Sequence, residues 1–127
     1  METNELVLSK GMHGLLKTHL QTNNKLSAFN RKKLEKELQD AKIFVSTDIP
    51  ADVVAVNRNV RVLDIETDEV LAFDLVPPAE AKIIENKVSV LSPVGVALVG
   101  YREGNNVEWD MPEGLKTFKI QKVSVLA

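Results

Sequence analysis

Apolar residues recur every three or four positions along the first forty residues, and every second position along most of the remainder. Leu8, Met12, Leu15, Leu16 and His19 fall on one helical face, which predicts an amphipathic helix. Thr3 or Asn4 would cap it. Gly11 and Gly14 weaken it, each by about 1 kcal/mol relative to alanine. Gln21 to Lys25 is polar and turn-prone. Phe29, Leu34, Leu38 and Ala41 mark a second stripe. Ser27 or Asn30 would cap this second helix, and Lys36 with Asp40 would form an i,i+4 pair on its outer face. Two such helices joined by a short turn make an antiparallel hairpin, a short coiled coil over residues 1–46. Each arm of about 15 residues would reach about 22 Å at 1.5 Å per residue. A pair this short is marginal alone, so it is expected to pack on the rest of the chain or on a partner.

Asp48-Ile-Pro50 ends the helical pattern. Val60 to Ile65 and Val70 to Val76 read as strands around a Thr67-Asp-Glu69 turn, and Pro77-Pro78 ends the second. Val88 to Leu91, Val107 to Trp109 and Thr117 to Val125 complete the strands, with Pro112-Glu-Gly114 turning between the last two. The spacing predicts a mainly antiparallel sheet. One short helix interrupts it. Ser92 stands at the N-cap, Pro93 at the first helical position and Gly100 at the left-handed C′ position. Val94, Ala97 and Leu98 would share the face that closes the sheet. The fold class is therefore α+β: a helical hairpin over residues 1–46, then a β-rich domain with one short helix over residues 47–127.

A chain of 127 residues suits one ordinary domain, or a small domain with an appendage. Hydrophobic residues at 44% and charged residues at 27% indicate a globular chain rather than a disordered or fibrous one. No apolar run approaches the roughly 20 residues that span a bilayer, and METNELVLSKG lacks the basic and apolar regions of a secretory signal. The absence of cysteine excludes disulfides, thiol catalysis and cysteine-bound zinc. It fits a reducing compartment, so the expected location is cytoplasmic. The net charge of −2 conceals an asymmetry: residues 1–46 carry eight Lys/Arg against five Asp/Glu, and residues 47–127 carry eight against thirteen. A basic arm on an acidic body suggests parts with different neighbours, although solvated faces produce the same imbalance.

Little in the chain points to catalysis. His13 and His19 are six apart, not the four that would place two ligands on one helix face, and no metal site is expected. Asp64, Glu66, Asp68 and Glu69 cluster near a turn, as solvated hairpins do, without the spacing of a calcium loop. No serine has a histidine and third partner at hand. No glycine-rich phosphate loop is present. The run Arg31-Lys32-Lys33 would suit contact with RNA or phosphate, or simply a solvated helix face. It stands at a helix start, where the dipole disfavours cations.

The segment Lys87-Val-Ser-Val-Leu-Ser-Pro-Val-Gly-Val-Ala-Leu-Val-Gly100 resembles the C-terminal domain of the Gre transcript-cleavage factors. The flanking order agrees: a strand pair before it, then Glu103-Gly104, the Val107–Trp109 strand, the Pro-Glu-Gly114 turn and a final strand. Asp48-Ile-Pro-Ala-Asp-Val-Val54 with Asn57-Arg58-Asn59-Val60 is more similar still to the Rnk-type branch, which is named for regulating nucleoside diphosphate kinase. The resemblance covers about 80 residues. It implies an FKBP-like domain that binds RNA polymerase at the rim of the secondary channel, with Ser92, Pro93 and Val94 as the partner-binding residues. The hairpin would point into the channel. No membrane, no sequence-specific DNA contact, no cofactor and a monomeric state are expected.

In Gre factors the hairpin tip carries two acidic residues that help hold a metal ion at the polymerase active site, where carboxylate oxygens suit Mg²⁺. This chain has no Asp or Glu between Lys17 and Arg31, and its expected tip is Asn23, Asn24 and Lys25. Amide oxygens are weak ligands and Lys25 would repel a cation. The chain is therefore expected to be no enzyme and no cleavage stimulator. The alternatives are an active cleavage factor drawing acids from Glu2 or Glu5, and a protein-binding regulator of a metabolic kinase. Prolyl isomerase activity is not expected: fold does not carry function, and the chain has only six aromatics, Phe29, Phe44, Phe73, Tyr101, Trp109 and Phe118. A second departure is Asn105 after Gly104, where the family has Asp; Asn also suits a turn.

Overall fold

The computed structural model describes residues 6–22 and 26–126. The expected caps Thr3 and Asn4, and the tip residues Asn23, Asn24 and Lys25, lie outside the described residues. The chain is α+β, with a helical hairpin and a curled mixed sheet. Helices α1 (Lys10–Thr22) and α2 (Ala28–Asp40) are flanked by short strands β1 (Val7–Ser9) and β2 (Lys42–Phe44), which pair in parallel.

Helix α1 begins later than its apolar stripe suggests. Leu6, Val7 and Leu8 are all buried, as in a strand covered on both faces. Such a run has no period that separates strand from helix, so Leu8 belongs to β1. Ser9 follows and caps α1, its Oγ accepting a bond from Met12 N at 3.1 Å. Ser27 caps α2, accepting from Asn30 N at 3.1 Å. The buried face of α2 runs through Asn30, Leu34 and Leu38. Phe29, expected on that face, is 42% exposed; it sits about 100° around the helix from Asn30. Lys36 and Asp40 pair at 3.8 Å on the exposed side.

Side chains tie the two helices near both ends. His13 Nε2 donates to the Leu38 carbonyl at 2.9 Å, and Arg31 Nη1 donates to the Leu20 carbonyl at 2.8 Å. The second bond serves the last turn of α1, where carbonyls lack helical partners and a cation meets the negative end of the dipole.

The main sheet contains β3 (Arg58–Asp64), β4 (Glu69–Val76), β5 (Lys87–Ser89), β6 (Asn106–Met111) and β7 (Gly114–Val125), in the order β5-β4-β3-β7-β6. All neighbours are antiparallel except β4 and β5, which are parallel. The register of β3 against β7 shifts between Arg61 and Val62, the mark of a bulge. Helix α3 (Pro93–Leu98) packs on β6. One continuous core joins Leu16, Leu20, Leu34 and Leu38 of the hairpin to Val60, Phe73, Trp109, Phe118 and Ile120 of the sheet.

Two polar groups are buried among the described residues, and both have partners. Asp64, expected in a solvated turn, instead faces inward from β3. Its carboxylate accepts from Lys116 Nζ at 2.9 Å and from Glu66 N at 3.1 Å. The Lys116 bond holds the Asp64 carboxyl below its ordinary value. A depressed acid contributes stability that is complete above the ordinary carboxylate value of about 4 and is lost as pH falls through the depressed value. Asp64→Asn should therefore lower Tm at pH 7 and flatten the fall of Tm below about pH 4, measured by thermal unfolding across a pH series.

Asn30 is the other buried group. Its Nδ2 donates to the Asp110 carbonyl at 2.7 Å and its Oδ1 accepts from Asp110 N at 2.8 Å. The carboxamide thus pairs with the outer edge of β6 as a neighbouring strand would. Asn30→Ala would leave both groups of Asp110 without that partner, at a cost of about 2 kcal/mol. Urea unfolding should show the lower midpoint.

Candidate functional site

Local chemistry fixes the start of α3. Ser92 Oγ donates to the Ser89 carbonyl at 2.7 Å and accepts from Gly95 N at 3.2 Å. Ser89 Oγ accepts from Leu91 N at 3.0 Å. The approach is so close that a methyl at Gly95 would meet the Ser89 and Val90 carbonyl oxygens, the second at 2.7 Å. The helix ends at Gly100, whose φ of +90° is left-handed. There its carbonyl accepts from Val7 N at 3.0 Å, and its N–H donates to the Val54 carbonyl at 2.8 Å. A side chain at Gly100 would strike Leu8 and Leu6.

Residues 95–100 are all buried, whereas Pro93 is exposed and Ser92 and Val94 are half-buried. The three expected docking residues therefore form one small solvent-facing corner on a firmly held backbone. Pro93 is also one lip of a cleft of about 400 Å³. Leu91, Val96, Trp109, Met111 and Pro112 line its sheet side, and His19, Leu26, Ser27 and Asn30 its hairpin side. Burial pushes the His19 imidazole below its ordinary value, so the neutral ring is favoured in this apolar setting. No spacing in the sequence marks the cleft, because its walls come from four separate segments.

The basic run at the start of α2 does not form one surface cluster. Arg31 is turned onto Leu20, as described. Lys33 Nζ donates to Tyr101 OH at 2.6 Å and to Glu37 at 3.2 and 3.3 Å. It also lies 5.0 Å from the Tyr101 ring centroid and 5.8 Å from that of Trp109, within cation–π range. Burial raises the Glu37 carboxyl above its ordinary value, and the Lys33 charge opposes that rise. Only Lys32 of the three is exposed. Lys33 thus joins α2 to the sheet, a role hidden in the sequence because Tyr101 lies 68 positions away. His13 likewise bonds a main-chain carbonyl, and no group of His, Asp or Glu among the described residues is arranged to hold a metal. At the turn after α3, Asn105 Oδ1 accepts from Arg102 N at 2.9 Å, a bond that a carboxylate would also accept.

Residues 49–125 match the family described as transcription elongation factor, GreA/GreB, C-terminal. The chain belongs to the GreA/GreB family. It is 40% identical over 87 residues to a transcription elongation factor GreA of Clostridium acetobutylicum, covering 68% of this chain and 55% of that one. It is 41% identical over 90 residues to the GreA of Acetivibrio thermocellus, covering 71% and 57%. The chain thus spans little more than half the length of the curated relatives it matches. A solved structure titled prokaryotic transcription elongation factor GreA/GreB, from Nitrosomonas europaea, superposes with a TM-score of 0.67 and 32% identity, covering 96% of this chain and 99% of that one. Thermus aquaticus Gfh1, at TM-score 0.54 and 24% identity over 96% and 99%, shares the fold.

The serine-proline corner depends on Gly95. Gly95→Ala should destabilise the fold by at least about 2 kcal/mol, because carbonyl oxygens and not a flexible side chain must move. Thermal unfolding measures the loss.

Proposed function

We propose that this chain is a transcription regulator that binds bacterial RNA polymerase at the rim of the secondary channel and competes there with Gre-type factors. It docks as a monomer through Ser92, Pro93 and Val94 and does not stimulate transcript cleavage. Such a factor would act in the cytoplasm and would need no cofactor of its own.

The observation that carries this reading is a short arm, free of acids between Lys17 and Arg31, on a Gre-family C-terminal domain. Helices α1 and α2 have 13 residues each, about 20 Å at 1.5 Å per residue. No Asp or Glu occurs between Lys17 and Arg31, so the end of the arm offers no carboxylate to a catalytic Mg²⁺. The family resemblance supports polymerase as the partner. The exposure of Pro93 on a backbone held by Ser89, Ser92 and Gly95 supports the docking corner. Lys33 and Asn30 hold the arm against the sheet, and Arg31 ties its two helices together, which suits a plug more than a reagent.

Immobilised polymerase should retain the wild-type chain and lose it with Pro93→Asn, by about tenfold or more for a docking residue at the centre of a contact. The melting temperature should be nearly unchanged, because Pro93 is exposed and Asn can occupy the first helical position. Excess protein should displace a Gre factor from polymerase, and a backtracked complex should yield no shortened RNA when it is added. Failure to displace the Gre factor at high excess, or prompt RNA cleavage, sinks the proposal.

A further inference from the structure

The domain from residue 47 to 127 is acidic, yet it keeps one cationic face. Of its eight Lys/Arg, five are engaged within the fold. Arg58 donates to the carbonyls of Ile49, Pro50 and Val53. Lys82 and Lys87 pair with Glu85, Arg102 with Asp52, and Lys116 with Asp64. The other three are Arg61, Lys119 and Lys122, and none has an ion-pair or hydrogen-bond partner among the described residues.

All three share one side of the sheet. Val60, Val62 and Asp64 point inward from β3, and Phe118, Ile120 and Val123 point inward from β7. Side chains alternate along a strand, so Arg61 and Lys119 point outward. The bulge of β7 turns Lys122 to the same side, directly opposite Arg61 in the register. Like charges facing each other across a strand pair are unfavourable. The face is open to solvent, with Arg61, Val70, Ala72, Lys119 and Lys122 all exposed.

An apolar strip borders the cations. Leu63 lies between Val70 on one side and Lys119 on the other, and Ala72 lies opposite Arg61. Three acids share the face, Asp74, Glu108 and Asp110, the last alternating with the buried Trp109 at the outer edge of β6. Asp74 accepts from the Asn59 amide at 2.9 Å, and Glu108 stands at the margin on β6.

We propose that this outer sheet face docks an acidic amphipathic segment of a partner protein, with carboxylates meeting Arg61, Lys119 and Lys122 and an apolar stripe covering Leu63, Val70 and Ala72. Charge complementarity selects an anion. The apolar strip selects a protein over a nucleic acid, since a phosphate backbone has nothing to bury against it. Phe73, Tyr101, Trp109 and Phe118 are all buried, so the face has no aromatic platform on which bases would stack. The inference goes beyond polymerase docking and does not depend on it.

The test uses the full chain and a labelled synthetic helix bearing leucines at three- and four-residue spacing between glutamates. Fluorescence anisotropy should show binding at low salt that weakens steeply as salt screens the charges. The triple variant R61Q/K119Q/K122Q should bind about tenfold or more weakly. A peptide with glutamine in place of glutamate should do the same. The variant should melt no lower than the wild type, since it removes a like-charge pair. If it does melt lower, Lys122→Gln alone should still bind about threefold more weakly. No binding at low salt, equal affinity for wild type and variant, or tighter binding of single-stranded RNA of equal charge through the same residues would overturn the proposal.

Discussion

Asn30 bonds both the N–H and the carbonyl of Asp110 at the outer edge of β6, so one side chain stands where a neighbouring strand would lie. The contact sets the position of α2 along the sheet, and much else follows from it. One helical turn on, Lys33 reaches Tyr101 and lies over the Trp109 ring. Leu34 and Leu38 continue the same buried face into the common core. The pairing also covers part of an edge strand, whose open hydrogen-bonding groups otherwise invite association. The cleft beside Pro93 exists because Asn30 holds the hairpin at that distance from α3 and the β6–β7 turn.

Gly100 does at the base of the hairpin what Asn30 does along its side. Its carbonyl receives Val7 N, and Lys42 N bonds the Leu6 carbonyl, so the chain is tied down where it enters the hairpin and where it leaves. The strand β1 fits only because Gly100 lacks a side chain that would strike Leu6 and Leu8. Arm, short strands and sheet therefore share one core, and the arm holds a fixed direction relative to the Ser92–Val94 corner.

The β-rich part was legible along the chain. Alternating apolar residues mark β3, β4 and β7, and Ser92, Pro93 and Gly100 announce a capped short helix with its stop. These signals are local: each depends on residues within one turn or one strand, and propensity and capping act over that distance. The family resemblance rests on the same stretch. Sequence order alone also placed the two helices and the acid-free segment between them.

Contacts over longer separations were decided only by the tertiary structure. Val7 to Ser9 form a strand because β2 and Gly100 offer partners; the unbroken apolar run Leu6 to Leu8 specifies burial and no period. Asn30, not Phe29, faces the sheet because a polar strand edge lies there, and a hydrophobic pattern cannot register a buried amide. Arg31 and Lys33 look like solvent charge in sequence, yet Leu20 and Tyr101 claim them. Asp64 looks like a turn residue, yet Lys116 draws it inward. The amino-acid sequence by itself determined the elements, the caps and the absence of carboxylates between Lys17 and Arg31, since those are matters of residue type and near neighbours. Where the arm sits, which cations remain free and which corner faces solvent were settled by pairings between residues that meet only once the chain has folded.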